Sequence, residues 1–288
     1  MDILPQLIVN SIIAGAVYSL VALGFNLIYG TVKFFDLGYG ALTAVGGYTV
    51  FWLYKMLGLP LYLAIPAGVI MSGLIGYLIY RLVYAPLRER KSSGTVLLVG
   101  SLGAFTALQA VVAILFTSQF QTLSRSSGAE AVYQIWGGVI TQVQVIMLVS
   151  GLAIMIGIAL LLKFTIFGKA VKAVGDDEEV AKIVGINTPR VIGLVFAIGS
   201  AIAGLAGILV GFDTGIEPTM GLSLLLKGVI ASIIGGIGNV YGGVIGAFLL
   251  GFIENFGIWK ISGEWKDAIA FAVLILFLLF RPQGILRR

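Results

Sequence analysis

The chain has 288 residues, of which 59% are hydrophobic and 11% are charged, and its formal net charge is +5. A typical globular domain is about 45–50% apolar and about 25% charged, so this composition excludes a soluble fold and indicates an integral membrane protein. The chain contains neither cysteine nor histidine, which excludes disulfides, thiol chemistry, histidine ligation of metals and imidazole proton relays. We expect no metal site and no nucleic-acid partner, because the positive charge is typical of cytoplasmic loops.

Solid apolar runs of about 20 residues predict transmembrane helices, since strands of a membrane β-barrel would alternate apolar and polar residues. The predicted fold class is therefore all-α, a polytopic helical bundle that forms one transmembrane domain over residues 1–288. The N-terminal segment lacks the basic region of a cleaved signal peptide, so we expect the first span to be retained. Forty glycines, many in small-xxx-small spacing, predict closely packed helices. The predicted spans are Leu7–Tyr29, Gly40–Leu57, Leu61–Tyr84, Val96–Phe116, Val143–Leu162, Val191–Phe212, the long stretch Leu222–Asn255, and Ala268–Phe280.

Basic residues predict how these spans are oriented, because positively charged loops stay in the cytoplasm. The long stretch Leu222–Asn255 is interrupted at Gly235–Gly243. If it crosses as two short segments, all basic clusters lie inside, with the N-terminus outside and the C-terminus cytoplasmic. We favour this count of nine crossings, or eight if the pair is merged; a re-entrant pair of half-helices is the alternative. The clusters are Arg81, Arg88, Arg90 and Lys91; Lys163, Lys169, Lys172, Lys182 and Arg190; and Arg281, Arg287 and Arg288.

The most densely charged segment lies between the fifth and sixth predicted spans. Residues 163–190 are predicted to form a cytoplasmic coupling loop, because a charged helical loop between spans can transmit force from a soluble partner into the bilayer. The alternative is a solvated loop that only sets the topology. The charged residues are Lys169, Lys172, Asp176, Asp177, Glu178, Glu179, Lys182 and Arg190.

Breaks within the apolar segments predict where a solute path could lie. Free backbone groups at membrane depth are tolerated only where they are buried in protein or line a cavity, and transporters build substrate sites from such breaks. One break is Gly235–Gly243, and a second precedes the second span. Tight helix packing is the alternative explanation for glycines at these places. The path residues predicted from the breaks are Asp36, Tyr39, Gly40, Gly235, Gly236 and Gly238.

Lys227 lies five residues into an apolar stretch. A lysine at the centre of a transmembrane helix costs about 2.5–3.5 kcal/mol, so a role as a path residue is one hypothesis. The alternative is that its ammonium snorkels to the outer interface. Asp213 and Glu217, on the outer side, are its predicted partners. Glu254 and Asn255 end the second half-segment and are further candidates for lining a path.

The sequence contains no evident ATPase and no catalytic cluster. A Walker A loop requires G-x-x-x-x-G-K followed by Ser or Thr, and the nearest string, at Gly168-Lys169, lacks both the hydroxyl and the upstream glycine. We therefore expect a transport protein rather than an enzyme. A secondary transporter or channel for a small polar solute, independent of ATP, is the alternative, although the few buried acids argue against ion coupling.

Motifs spread along the whole chain resemble the LivH-type permease subunits of branched-chain amino-acid ABC importers. Asp36–Tyr48 is similar to the family segment N-F-A-H-G-x-L…G-x-Y, and Tyr84–Arg88 to Y-x-P-L/V-R. Gly168–Asn187 resembles G-R-A-x-R-A…D…G-I-N. The segments Pro218–Gly246 and Lys266–Ile285 resemble later family motifs.

Four residues depart from the family pattern. Asp36 and Tyr39 stand where the family has Asn and His, at a point where a substrate path could run. Lys169 and Lys172 replace two arginines of the charged loop, which keeps the charge but loses planar bidentate hydrogen bonding.

The resemblance implies a permease subunit in the plasma or inner membrane, paired with a second, LivM-like subunit. It also implies two cytoplasmic ATPases that bind ATP-Mg, an extracytoplasmic solute-binding protein, and no cofactor in this chain itself. The transported class would be branched-chain amino acids or related small amino compounds. The residues that would contact the ATPases are Gly168, Lys169, Lys172, Asp176, Asp177, Gly185 and Asn187.

Overall fold

A computed structural model describes residues 3–124, 132–135, 137–259 and 261–286. Arg287 and Arg288, from the third predicted basic cluster, lie outside the described residues. Within the described part, six helices are long and apolar enough to cross a membrane, which confirms the prediction of a helical membrane protein. These six are Ile3–Val32, Leu61–Glu89, Gly94–Phe116, Gln142–Phe164, Thr188–Asp213 and Val240–Gly257.

The elements agree with the predicted spans to within a few residues, and the long stretch Leu222–Asn255 forms two helices, as its interruption predicted. A π-helical turn, Phe51–Met56, continues the helix that begins at Gly38. Another, Tyr80–Tyr84, joins the helices Leu61–Ile79 and Ala85–Glu89. A short 3₁₀ turn, Gly263–Trp265, precedes the last helix. The helices are α1 (Ile3–Val32), α2 (Gly38–Val50), α3 (Leu61–Ile79), α4 (Ala85–Glu89), α5 (Gly94–Phe116), α6 (Gln142–Phe164), α7 (Ile166–Asp176), α8 (Glu178–Ile183), α9 (Thr188–Asp213), α10 (Met220–Gly235), α11 (Val240–Gly257) and α12 (Lys266–Phe280).

Helix α1 is the centre of the bundle and packs against α6, α9, α10 and α11. Its middle is buried on all sides, which explains why it is apolar all round rather than amphipathic. The peripheral helices α5, α6 and α12 instead expose large apolar side chains such as Ile114, Leu160 and Leu279. Such surfaces are stable only against lipid or another membrane subunit.

Glycines set the spacing of the central helices. Between α2 and α9, a Cβ placed on Gly46 would overlap the backbone of Gly204, and one on Gly207 would overlap the backbone of Thr43. Gly251 of α11 lies equally close to the backbone of α1. Small residues let helix backbones approach in a membrane, so the prediction of close packing is confirmed.

A two-stranded hairpin adds to the predicted all-α fold. Strands β1 (Val132–Ile135) and β2 (Gly138–Thr141) pair antiparallel, and Val132 pairs with Thr141. The Gln6 side chain binds the backbone of Val139 in β2. Its Oε1 accepts from the Val139 amide at 2.7 Å, and its Nε2 donates to the Val139 carbonyl at 3.1 Å. Strands of four residues are too short for their alternation to stand out in a sequence.

The bundle has two distinct ends. We call the end that carries β1, β2 and Gln6 the hairpin end. The opposite end carries α4, α7, α8 and the turn between α10 and α11, and we call it the charged end.

Candidate functional site

Helices α7 and α8 stand at the charged end, and three side chains begin the local helices there. The Thr165 hydroxyl accepts from the Gly168 amide at 2.9 Å, and Asp177 Oδ1 accepts from the Glu179 and Val180 amides at 2.8 and 3.0 Å. Asn187 Oδ1 accepts from the Arg190 amide at 3.2 Å and begins α9. Such caps satisfy backbone donors that a helix start leaves free.

The predicted coupling residues divide into a structural and an exposed group. Gly168 packs against the backbone of Leu162, and Gly185 adopts a φ of +87°, which favours glycine. Asp177 and Asn187 act as helix caps, as described above. The exposed group is Lys169, Lys172 and Asp176.

An ion network fastens α8 to α4. Glu178 pairs with Arg88 through a short contact and with Lys182 at 2.8 Å. Partial burial opposes the ionisation of Glu178, but the hydrogen bond from Lys182 and the charges of Arg88 and Lys182 outweigh it and lower the pKa of Glu178 below its ordinary value of 4.5. The carboxylate therefore holds α8 against the end of the third span.

This network predicts a pH dependence of stability. Because the folded pKa of Glu178 is lowered, its contribution is complete above about pH 4.5, the ordinary value, and is lost as the pH falls through the folded pKa. The contribution is below about 1 kcal/mol, since the pair is partly exposed. We expect the difference in unfolding temperature between wild type and Glu178→Gln to stay constant from pH 7 to about pH 5 and to shrink below pH 4.5. A difference that already shrinks between pH 7 and pH 6 would contradict this assignment.

Helix α8 presents apolar side chains away from the bundle. Val180, Ile183 and Val184 are exposed, and Ile183 retains 83% of its accessible surface. Lys182 and Glu179 stand beside them on the same short helix. An apolar patch rimmed by charges is typical of a protein interaction site.

The break before α2 is held together by buried hydrogen bonds. The Tyr84 hydroxyl donates to Asp36 Oδ1 at 2.6 Å, and the Leu37 amide donates to the Ser101 hydroxyl at 3.1 Å. The Tyr39 hydroxyl donates to the Val21 carbonyl at 2.9 Å. Asp36 and Tyr39 are fully buried in this conformation. Tyr39 ties α2 to α1, Asp36 ties the link to the turn after α3, and the Leu37 amide ties it to α5.

The turn between α10 and α11 is held from two sides. Gly236 and Gly238 have φ values of +116° and +79°, and the Gly238 amide donates to Asn26 Oδ1 of α1 at 2.8 Å. The amides of Ile285 and Leu286 each donate at 2.9 Å to carbonyls at the end of α10. The C-terminal tail thus satisfies acceptors that the end of α10 leaves free.

The two breaks meet at one groove, which the sequence did not reveal. The groove has a volume of about 420 Å³ and lies between the link after α1 and the end of α10. Lys33 and Phe35 line it from the link, and Ile233 and Ile237 line it from the other side. Gly40 instead packs against the backbone of Gly221 at the start of α10, while Gly235 packs against Gly242 across the turn between α10 and α11.

Lys227 belongs to a buried ion cluster toward the hairpin end. Its Nζ lies 3.2 Å from Glu254 Oε1 of α11 and 3.0 Å from Asp267 Oδ1 of α12. The Tyr18 hydroxyl donates to Glu254 Oε2 at 2.7 Å and accepts from Lys227 at 3.3 Å. Lys266 adds a contact to Glu254 at 3.8 Å.

The predicted partners of Lys227 were therefore wrong. Asp213 Oδ1 accepts from Gln144 Nε2 at 3.1 Å instead, while Glu217 lines a cavity beside Lys227 without an ion pair to it. The lysine retains only 12% of its side-chain exposure, so an ion cluster holds it rather than snorkelling. Asn255 donates to the Gly251 carbonyl at 2.8 Å, which places its amide within α11.

A cavity of about 290 Å³ opens beside this cluster. Lys227, Asp267 and Glu217 supply its charged groups. Leu222 and Phe271 form part of its apolar wall. The sequence could not identify Tyr18 and Asp267 as members, since they come from the two terminal regions of the chain.

Comparisons with known proteins match this arrangement to one family. Residues 7–278 match the family described as the branched-chain amino acid transport system permease component. The chain is 33% identical to the high-affinity branched-chain amino acid transport system permease protein BraD of Pseudomonas aeruginosa, over 98% of this chain and 95% of that protein. It is 31% identical to the corresponding LivH protein of Escherichia coli K12, with the same coverage.

A solved structure supports the fold. The structure of PsaBC from Streptococcus pneumoniae in complex with Fab superposes with a TM-score of 0.54 at 15% identity, over 98% of this chain and 93% of that chain. The matched family and the membrane-spanning helices show that the protein is a multi-pass transport subunit and not an enzyme. The chain belongs to the family of permease components of branched-chain amino-acid transport systems.

Proposed function

We propose that this chain forms the translocation path of an ABC importer for branched-chain amino acids and that separate ATPases drive it through α7 and α8. The exposed apolar face of α8 carries the proposal, because Ile183 and its neighbours protrude where a soluble partner could dock. The substrate class is that of the related permeases BraD and LivH. The predicted coupling residues Lys169, Lys172 and Asp176 would border the same contact.

The charged end is proposed to face the cytoplasm. It gathers Arg88, Lys182 and Arg190, which agrees with the preference of basic loops for the inside. In this orientation α10 and α11 each cross once, as short segments joined at the charged end. The chain would then cross nine times, with its N-terminus outside and its C-terminus inside.

The path is proposed to follow the outer face of α10. Leu222, Leu226 and Ile233 are spaced four and seven residues apart and thus share one face. This face connects the cavity beside Lys227 with the groove at the charged end. A second, LivM-like permease subunit would close the path from the opposite side. The predicted path residues Asp36, Tyr39, Gly235, Gly236 and Gly238 would shape its inner mouth, and Gly40, which packs against Gly221 at the start of α10, would lie nearer its outer end.

The importer would also require two ATPases, which bind ATP-Mg, and an extracytoplasmic solute-binding protein at the hairpin end. ATP-dependent uptake of radiolabelled leucine tests the assembly. The chain is reconstituted with its candidate partners in proteoliposomes, and uptake is followed with and without ATP. Leucine entry without ATP or partners would favour the alternative of a secondary transporter or channel.

The coupling surface has its own test in the same preparation. Ile183→Asp places a charge at the centre of the proposed contact, where burying it unpaired is unfavourable. We expect ATP-dependent uptake to fall at least about tenfold, which corresponds to about 1.4 kcal/mol, while the fold is unchanged because Ile183 is exposed. The control Gln283→Asp adds the same charge to an exposed tail residue at the charged end. Equal uptake by the two variants would contradict the assignment.

A further inference from the structure

We infer that the cavity beside Lys227 is a subsite for a zwitterionic amino acid, which binds by inserting between the Lys227 ammonium and the Asp267 carboxylate. The inference rests on the proposed function and adds to it a location and a recognition chemistry. Three observations carry it: the opposite charges at one cavity, the unequal exposure of those charges, and the apolar wall.

The charges match those of an amino acid. Lys227 Nζ would meet the α-carboxylate of the ligand, and Asp267 and Glu217 would meet its α-ammonium. All three side chains line the same cavity, and Lys227 and Asp267 lie 3.0 Å apart. Charge-assisted hydrogen bonds of this kind are the strong ones in proteins.

The two carboxylates that pair with Lys227, Glu254 and Asp267, differ in how far their side chains are exposed. Glu254 is fully buried, contacts Lys227 and Tyr18, and does not line the cavity. The Asp267 side chain is 66% exposed in the first turn of α12, so it can rotate away at low cost. A ligand carboxylate can therefore take the place of Asp267 on Lys227 without leaving the ammonium unpaired.

The rest of the cavity suits an aliphatic side chain. Leu222, Leu226, Ile230 and Phe271 line it. Its volume of about 290 Å³ lies near the lower limit of small-molecule sites, which is roughly 300 Å³. Because the cavity lies toward the hairpin end, it is the first part of the proposed path that a ligand released outside would reach.

Binding of tritiated leucine to the assembled permease and ATPase complex in nanodiscs, without the solute-binding protein, tests the inference. We expect saturable binding by wild type and at least about tenfold weaker binding by Asp267→Asn, since a charged hydrogen-bond partner is lost. Asp267 is exposed, so this variant should fold. The control Glu264→Gln removes an exposed carboxylate on the preceding turn, outside the cavity, and should bind leucine as wild type does.

Ligand analogues test the two charges separately on the wild-type complex. Isoamylamine lacks the carboxylate and 4-methylpentanoate lacks the ammonium, and each should displace tritiated leucine at least about tenfold more weakly than unlabelled leucine. The subsite is overturned if Asp267→Asn binds as wild type does, if either analogue competes as well as leucine, or if no saturable binding occurs in a complex that takes up leucine with ATP. Saturable zwitterion binding without ATP-dependent uptake would instead keep the subsite and overturn the importer.

Discussion

Replacing Glu254 by leucine is expected to destabilise the protein by about 3 kcal/mol, the lower limit for breaking a buried ion pair from one side. Glu254 is fully buried, and its loss leaves Lys227 in a largely enclosed position. Asp267 remains 3.0 Å from the lysine and limits the cost, but it is exposed and cannot replace the buried carboxylate. Thermal unfolding in detergent measures the effect as a lower midpoint.

A second variant separates the charge from the packing. When Lys227→Met is combined with Glu254→Leu, no buried charge is left unpaired, and replacing both partners by apolar residues is often neutral. Tyr18→Phe can be added, because the Tyr18 hydroxyl loses its acceptor. We expect most of the stability to return. If the combined variant is as unstable as Glu254→Leu alone, the cost comes from the shape of the leucine rather than from the ion cluster.

Gly207→Ala is expected to destabilise the contact between α2 and α9 by more than about 2 kcal/mol, within the upper part of the range for overpacking. The added methyl would overlap the carbonyl and Cα of Thr43. These are backbone atoms of another helix, so no side-chain rotation can relieve the overlap and the two helices must separate. The midpoint of thermal unfolding and the monodisperse fraction in detergent measure this.

Gly157→Ala is the matched control, since Gly157 also lies inside a long helix. No described atom lies within 4 Å of a Cβ placed there. Alanine is a better helix former than glycine by about 1 kcal/mol, so this variant should be as stable as wild type or more so. If both variants lose the same stability, helix spacing would not be what Gly207 provides.

The composition and the apolar runs predicted the membrane bundle, because a helix that contacts lipid needs a continuous apolar segment, which is visible in the sequence. They also predicted that glycines bring helices together, as Gly46 and Gly204 do. The β1–β2 hairpin was missed because its strands are short and outside the apolar runs. The number of crossings does not follow from hydropathy alone, since α2, α10 and α12 are shorter than the other spans.

The sites were predictable only where their residues are neighbours in the sequence. Asp177 and Asn187 stand directly before helices, and their capping role follows from that position. The sequence shows that Lys227 is unusual, but its partners come from α11 and α12. The predicted partners, Asp213 and Glu217, are only its neighbours along the chain. Ion pairs across helices depend on the rotation of each helix, which a single sequence does not determine.

The C-terminal tail has a consequence for how the transporter can move. The Ile285 and Leu286 amides cap the end of α10, while Lys227 joins the other half of α10 to α11 and α12. If α10 moved away from these partners, hydrogen-bond acceptors and charged groups would lose their partners, which costs about 1–3 kcal/mol for each group. Tyr18 and Asn26 of α1 bind Glu254 and Gly238, so α1, α10, α11 and the tail form one block, and opening the proposed path to either side requires that this block move as a whole against α2.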